Sequence, residues 1–338
     1  MRCSAIKPKA AWFGGLGRAL NGPNVAQPMI PTFASSRSPL AHVRHHRVRM
    51  RYVIAILGLI VVAVVMAAFL HRAVSVTSPS PTPGPGGSAV LVGAGDIGNC
   101  RTTTDEATGR LLDAIPGTVF TAGDNAYSDG TAEEFSDCYA PTWGRHKART
   151  RPAPGNHDYH TAGASAYFDY FGATAGPTGL GYYAYTLGAW RVYSLNSEVV
   201  SSEQTTWLIN DLAAHPSACI AAYYHHPRYA TPDANGSHGS QSSSEPLWDA
   251  LADAGADLVV NGHSHHYERL APRRGITQVI VGTGGTNMNG FGPPIAGSEV
   301  RQSTAHGVLK ITLNTGGYDA QFVPIEGQTF TDAFDGSC

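Results

Sequence analysis

Five short polar motifs hold the residues able to do chemistry, and each follows an apolar run: GDIG after AVLV, GDNAY after TVFTA, GNHD after RPAP, HHP after CIAAYY and GHSHHYER after DLVV. Together they supply Asp96, Asp124, Tyr127, Asn156, His225, His263 and His265. A donor set mixing carboxylate, carboxamide and imidazole suits borderline metals such as Fe, Zn or Mn better than Mg or Ca. Two such ions side by side lower the pKa of a bound water, so that the hydroxide can attack, and clamp a phosphate ester for in-line displacement. The leaving alkoxide then needs a proton. His157, beside Asn156, can act as that general acid, and Asp158 next to it can fix the imidazole tautomer.

Taken singly, each motif has a plainer explanation. Asp after a strand is commonly a helix cap or turn former, Tyr127 alone reads as half-buried core, and Gly155-Asn156 is ordinary turn chemistry. GAGDIG also fits the dinucleotide fingerprint, with Gly93, Gly95 and Gly98 in register and Asp124 where a ribose-binding acid would stand. That reading leaves GNHD, HHP and GHSH unexplained, whereas a two-metal site uses all five motifs. His226 and His266 stand beside His225 and His265 and compete with them for a ligand role. His263 and His265, on alternate residues, can point one way from an extended segment. Arg228 and Arg269 are equally open to holding a phosphate and to plain solvation. His146, His160, His215 and His306 read as structural.

The elements that must position these motifs form an alternating pattern. Strand-like runs cover 89–92, 118–122, 151–154, 182–187, 191–195, 219–224, 257–260, 276–281, 308–313 and 319–325. Helices are expected over 104–115, 131–139, 202–215, capped by Ser201 or Ser202, and 244–254. This alternation argues an α/β (α+β) protein, its later consecutive strands suggesting a mixed or second sheet. In open α/β sheets sites form at the carboxyl ends of strands, so five strand-end motifs can share one crevice.

The order GDxG, GDxxY, GNHD, HxP, GHxH resembles the calcineurin-like metallophosphoesterases over Asp96 to Arg269, and Tyr127 with the HYER tail looks like the purple acid phosphatase branch. The resemblance implies a four-layer sandwich of two mixed β-sheets flanked by helices. It implies Asp96, Tyr127 and His265 on a first metal, Asn156, His225 and His263 on a second, and Asp124 bridging. Tyrosinate in that branch accompanies Fe(III), with Fe, Zn or Mn at the second site. His238, in GSHGS, resembles a second phosphate-facing histidine of the small purple acid phosphatases. Ser264 replaces the Asp or Val often found between the two histidines, and no β-sandwich module is recognisable ahead of the catalytic domain.

Composition narrows the partners. With 14% charged and 42% hydrophobic residues the chain is ordinary globular material. Residues 1–72 hold ten of the 23 Lys and Arg and no Asp or Glu, leaving 13 basic against 25 acidic residues beyond them. So acidic a body disfavours a nucleic-acid partner, which needs clustered cations. Residues 52–70 are an uncharged apolar run of bilayer-spanning length behind a basic segment, 1–51, that belongs on the cytoplasmic side. The run reads either as a cleaved signal or as a membrane anchor; Met50 opens a tidier signal than Met1 and is the expected true start. Residues 71–87 are a Pro/Ser/Thr/Gly linker and 88–338 one domain, which the topology places outside the cytoplasm. There, Cys100, Cys138, Cys219 and Cys338 allow three disulfide pairings; Cys100 and Cys138, each following a metal motif, can staple those loops together.

The expected function is therefore hydrolysis of a small phosphomonoester outside the cytoplasm, with no protein partner inferred. A phosphodiesterase or nucleotidase on the same site, and from another class a non-catalytic surface binding protein, are the alternatives.

Overall fold

The computed structural model describes residues 87–338. The basic segment 1–51, the run 52–70 and the linker up to residue 86 lie outside the described residues. Among those described, no helix is long and apolar enough to cross a membrane.

Two mixed sheets form the body. The first holds β1 (Ala89–Ala94), β3 (Thr118–Ala122), β5 (Thr150–Ala153), β13 (Gly307–Asn314), β14 (Gly317–Pro324) and β15 (Ala333–Ser337), in the order β15-β14-β13-β1-β3-β5. The second holds β6 (Tyr183–Leu187), β7 (Trp190–Ser194), β8 (Cys219–Tyr224), β9 (Leu258–Asn261), β10 (Tyr267–Arg273), β11 (Ile276–Val281) and β12 (Ser298–Gln302), in the order β12-β10-β11-β9-β8-β7-β6. Two short strands, β2 (Gly98–Asn99) and β4 (Ala126–Tyr127), pair in parallel beside them.

The period of two along a strand sorts side chains between layers. In β8, Cys219, Ala221 and Tyr223 enter the core between the sheets, while Ile220, Ala222 and Tyr224 face a second core on the outer side. Phe120 and Tyr223 meet across the inter-sheet layer at 5.4 Å between ring centroids. The outer core is closed by α4 (Ser202–Ala214) through Leu208 and Leu212 and by α5 (Glu245–Asp253) through Leu247, Trp248 and Leu251. Ser201 caps α4, its hydroxyl accepting from the Gln204 N–H at 3.2 Å. On the other side, α1 (Thr104–Ala114) packs on β13, completing the four-layer arrangement. A helical stretch begins as α2 (Ala132–Glu134) and continues as a π-wound turn over Phe135–Tyr139; α3 (Ser165–Phe171) follows β5.

The run from β1 onward does not build a dinucleotide site. β2 follows β1, and α1 begins only at Thr104, so no helix N-terminus stands at the glycines to receive a pyrophosphate. Strands β10, β12 and β15 are additions to the expected set, and their polar sequences hide them.

What matters for the site is strand polarity. β1, β3 and β5 are parallel neighbours, with Ala94 opposite Thr121 and Ala122 opposite Ala153. β8 and β9 are likewise parallel, with Tyr224 opposite Asn261. Their carboxyl ends come together where the five motifs begin. Cys100–Cys138 and Cys219–Cys338 are the disulfides, the first joining the loops after the first two motifs as expected.

Candidate metal centre

Each strand end releases its polar residue through an abrupt turn. Asp96, Asp124 and His263 all take left-handed backbone conformations, with φ of 63°, 52° and 68°. Each costs roughly 1 kcal/mol or more for a residue with a Cβ, a concentration of strain typical of functional sites. The neighbouring glycines leave no room for anything larger. A Cβ on Gly155 would lie 2.2 Å from Asp124 Oδ1, and one on Gly262 would lie 2.7 Å from Asp96 Oδ2.

The seven residues singled out in the sequence come together in two groups that share Asp124. In one, Tyr127 Oη lies 2.9 Å from Asp96 Oδ1, 2.8 Å from Asp124 Oδ2 and 3.2 Å from His265 Nε2. In the other, His225 Nε2 is 3.0 Å from Asn156 Oδ1 and 3.3 Å from Asp124 Oδ2, and His263 Nδ1 is 3.2 Å from Asn156 Oδ1. His225 Nδ1 donates to the Ala122 carbonyl at 2.9 Å and His265 Nδ1 to the Asn287 carbonyl at 3.0 Å. Both therefore aim Nε2 inward, the usual way a backbone carbonyl selects the ligating nitrogen.

The neighbouring histidines sort differently. His226 Nδ1 meets Glu198 Oε1 at 3.1 Å, although its ring stays 4.2 Å from that of His263 and its nitrogen within 4.8 Å of the His225 and His263 ligand atoms. His266 is buried away from the cluster, against Phe291 and 3.7 Å from Glu268.

Charge explains why this group invites a cation. Asp96 and Asp124 are fully buried side by side, and the groups meeting them at the cluster are imidazoles and a phenol. Burial opposes ionisation of Asp124, yet the facing His225, with His157, holds it well below the usual carboxylate range. Against its own burial, His225 is pushed up to about 10 by Asp124. Burial, with His225 and His226 beside it, pushes His263 down. Oxygen and nitrogen donors held this closely, with paired buried carboxylates, fit two divalent or trivalent ions.

His157 sits at the edge of this cluster. Its backbone N–H donates to Asp124 Oδ1 at 2.9 Å, its ring packs 4.4 Å from that of Tyr127, and its Nε2 is 3.9 Å from Asp124 Oδ2. The expectation that Asp158 orients this imidazole is corrected. Asp158 is fully buried and accepts from the Asn125 N–H and side chain and from the Gly155 N–H, bracing the second motif against the third. Burial, then Asp124, pushes it up to about 7. The partner of His157 Nδ1 is instead the Ser128 carbonyl at 2.5 Å. A backbone carbonyl only accepts, so Nδ1 carries the hydrogen and Nε2 is left for the site.

His238 reaches the cluster from its own loop, its ring 5.0 Å from His263 and 5.4 Å from His265, its Nδ1 held by Asp233 Oδ2 at 2.9 Å. Arg228 and Arg269 are otherwise occupied, the first by Glu245 and the second by Asp332 and Glu299. A cleft of about 500 Å³ opens over Tyr127, His157, His238 and His265, its outer walls including Asn99, Arg101, Glu133 and Asn289.

The model of the calcineurin-like phosphoesterase family matches residues 90–267, just over half of the chain. Purple acid phosphatase 15 of Arabidopsis thaliana is 26% identical over 236 residues, 56% of this chain but only 44% of that protein. An uncharacterized protein of Mycobacterium tuberculosis is 32% identical over 152 residues, 37% of this chain and 28% of its own. The chain thus spans less than half the length of these relatives. Among solved structures, purple acid phosphatase PPD1 from yellow lupin (Lupinus luteus) seeds has the same fold, with a TM-score of 0.63 at 20% identity, covering 76% of this chain and 55% of that one. GAP50, the anchor in the inner membrane complex of Plasmodium, does so with a TM-score of 0.58 at 15% identity, covering 72% and 88%.

Proposed function

The chain belongs to the calcineurin-like phosphoesterase family, and we propose that it is an exported hydrolase that cleaves phosphomonoesters at a binuclear metal centre. The observation that carries this reading is the sharing of Asp124 between two ligand groups, of which only the one with Asp96 and His265 includes a phenol. Asp96, Tyr127 and His265 would hold one ion, Asn156, His225 and His263 the other, and Asp124 both. Tyr127 favours Fe(III) at the first position, with Fe, Zn or Mn at the second. When bound, the two ions supply Lewis acidity and a nucleophile at neutral pH.

The chain's own residues supply the rest. With Nδ1–H committed to the Ser128 carbonyl, His157 presents Nε2 to the cleft, where it donates a proton to the departing alkoxide. His238, fixed through Nδ1 by Asp233, presents its other nitrogen to the phosphate. Asp158 holds the loops in register and touches no reacting atom. Two disulfides favour an oxidising compartment and so support export.

Turnover of p-nitrophenyl phosphate against bis-p-nitrophenyl phosphate by the metal-replete protein tests the reading. Monoester hydrolysis should dominate. Dominant diester turnover would reassign the site to a phosphodiesterase, and no turnover of either would leave a binding protein.

A further inference from the structure

Resting on the acid role of His157, we propose that Glu134 is a positioning residue for the reaction, acting on His157 through the Ser128–Asp129 peptide. Glu134 lies five residues beyond Asp129 and outside every motif. Its carboxylate collects three backbone donors. Oε1 accepts the Ser128 N–H, and Oε2 accepts those of Asp129 and Thr131, each at 3.0 Å. The Thr131 hydroxyl in turn accepts the Glu134 N–H at 3.2 Å, so a capping box at the start of α2 locks the side chain. An ordinary box satisfies one backbone donor with its glutamate; this one takes two more from the loop beside Tyr127.

The peptide joining Ser128 to Asp129 is planar and trans, so its N–H and C=O point in opposite directions on one rigid unit. Glu134 grips the N–H end. The C=O end accepts His157 Nδ1 at 2.5 Å and His160 Nδ1 at 3.1 Å. A negative charge on the N–H polarises the peptide and makes its carbonyl a stronger acceptor. The result is a carboxylate–peptide–imidazole line that fixes ring orientation and tautomer as a directly bonded carboxylate would. Gly130 shows how closely the loop is fitted, since a Cβ there would stand 2.6 Å from Asp158 Cα and 2.7 Å from the His157 carbonyl.

The test compares Glu134→Ala and Glu134→Gln with Glu326→Ala, an exposed carboxylate outside the cleft, and with His157→Ala. The readouts are metal content, melting temperature, the imidazole ¹⁵N–¹H resonances of the metal-free protein, and turnover of an alkyl phosphate against p-nitrophenyl phosphate. Glu134→Ala should lose or shift the His157 Nδ1–H resonance. It should also lower alkyl-phosphate turnover roughly tenfold to hundredfold, the scale of a misplaced catalytic group, while sparing the aryl substrate, whose leaving group needs little acid. Glu134→Gln, which keeps one acceptor oxygen and the fold, should fall between, and Glu326→Ala should match the parent. An unmoved Nδ1–H resonance, or equal losses on both substrates, overturns the inference. If His157→Ala itself shows no such split, the acid role fails, and the resonance alone then decides whether Glu134 positions the ring.

Discussion

Tyr127 and Asp124 share a hydrogen bond of 2.8 Å between phenol and carboxylate, in a place where the carboxylate is fully buried and the phenol nearly so, at the floor of the cleft. The phenol can donate to only one of its two carboxylate neighbours at a time. Burial, then Asp124 and Asp96, pushes its ionisation well above the ordinary value, so only a cation can draw the proton off. Protein loaded with Fe(III) should therefore show a visible charge-transfer band that Tyr127→Phe lacks while keeping its iron. A band surviving in Tyr127→Phe would remove the phenol from the coordination sphere.

Asp124 touches both groups, meeting Tyr127 on one side and His225 on the other. Asp124→Ala should abolish binding of both ions, whereas Asn156→Ala should spare the first. Elemental analysis of dialysed protein distinguishes these, and two ions retained in Asp124→Ala would refute the sharing.

Much of this was legible because buried parallel strands must be apolar on both faces. β1, β3, β8 and β9 are continuous apolar runs, and the polar residue after each is conspicuous against them. β10, β12 and β15 read YERLAPR, SEVRQ and AFDGS, and nothing in such strings separates a strand from a loop. The support around the site was hidden for another reason. His157 is held by a backbone carbonyl, which every residue has, so sequence suggested the adjacent Asp158 instead. Arg228 and Arg269 looked available because their partners Glu245, Glu299 and Asp332 are distant in sequence.

Glu268 links β10 to the loop that carries His238. It is wholly buried and accepts from the Thr231 N–H at 2.8 Å and the Thr231 hydroxyl at 2.5 Å. Burial alone would raise its pKa, but His266 at 3.7 Å and the hydrogen bonds from Thr231 bring it below the ordinary value. A lowered folded-state pKa stabilises above the unfolded value and is lost as pH falls through the folded one. Glu268→Gln should thus cost roughly 1–3 kcal/mol at pH 7. The difference should begin to shrink below about pH 4, the unfolded-state value, and be lost as the carboxyl is protonated in the folded state too. Urea unfolding at both pH values measures it, and a gap that widens in acid would contradict the sign.

The Cys219–Cys338 bond ties the last residue of the chain to the first residue of β8, whose other end delivers His225. It closes a 119-residue separation. Replacing both cysteines with serine should cost about 2–5 kcal/mol, seen as a lower melting temperature. Metal content at 25 °C should be unchanged, because β8 stays paired on both sides by β7 and β9.

The glycines of the motifs give a test that removes no ligand. A methyl group on Gly155 would lie 2.2 Å from Asp124 Oδ1 and 2.9 Å from His225 Cγ, and the Asp124 backbone N at 2.3 Å blocks the other escape. The carboxylate must then move, and with it the one group common to both halves of the site. Gly155→Ala is expected to lower metal affinity tenfold or more, the scale set by disturbing the support of a ligand. Gly290→Ala is the matched control: its Cβ meets nothing within 4 Å, and its backbone is not left-handed. Equal metal affinity in the two variants would mean that the cluster yields to a methyl group, and that Asp124 is not held in place by the backbone packed around it.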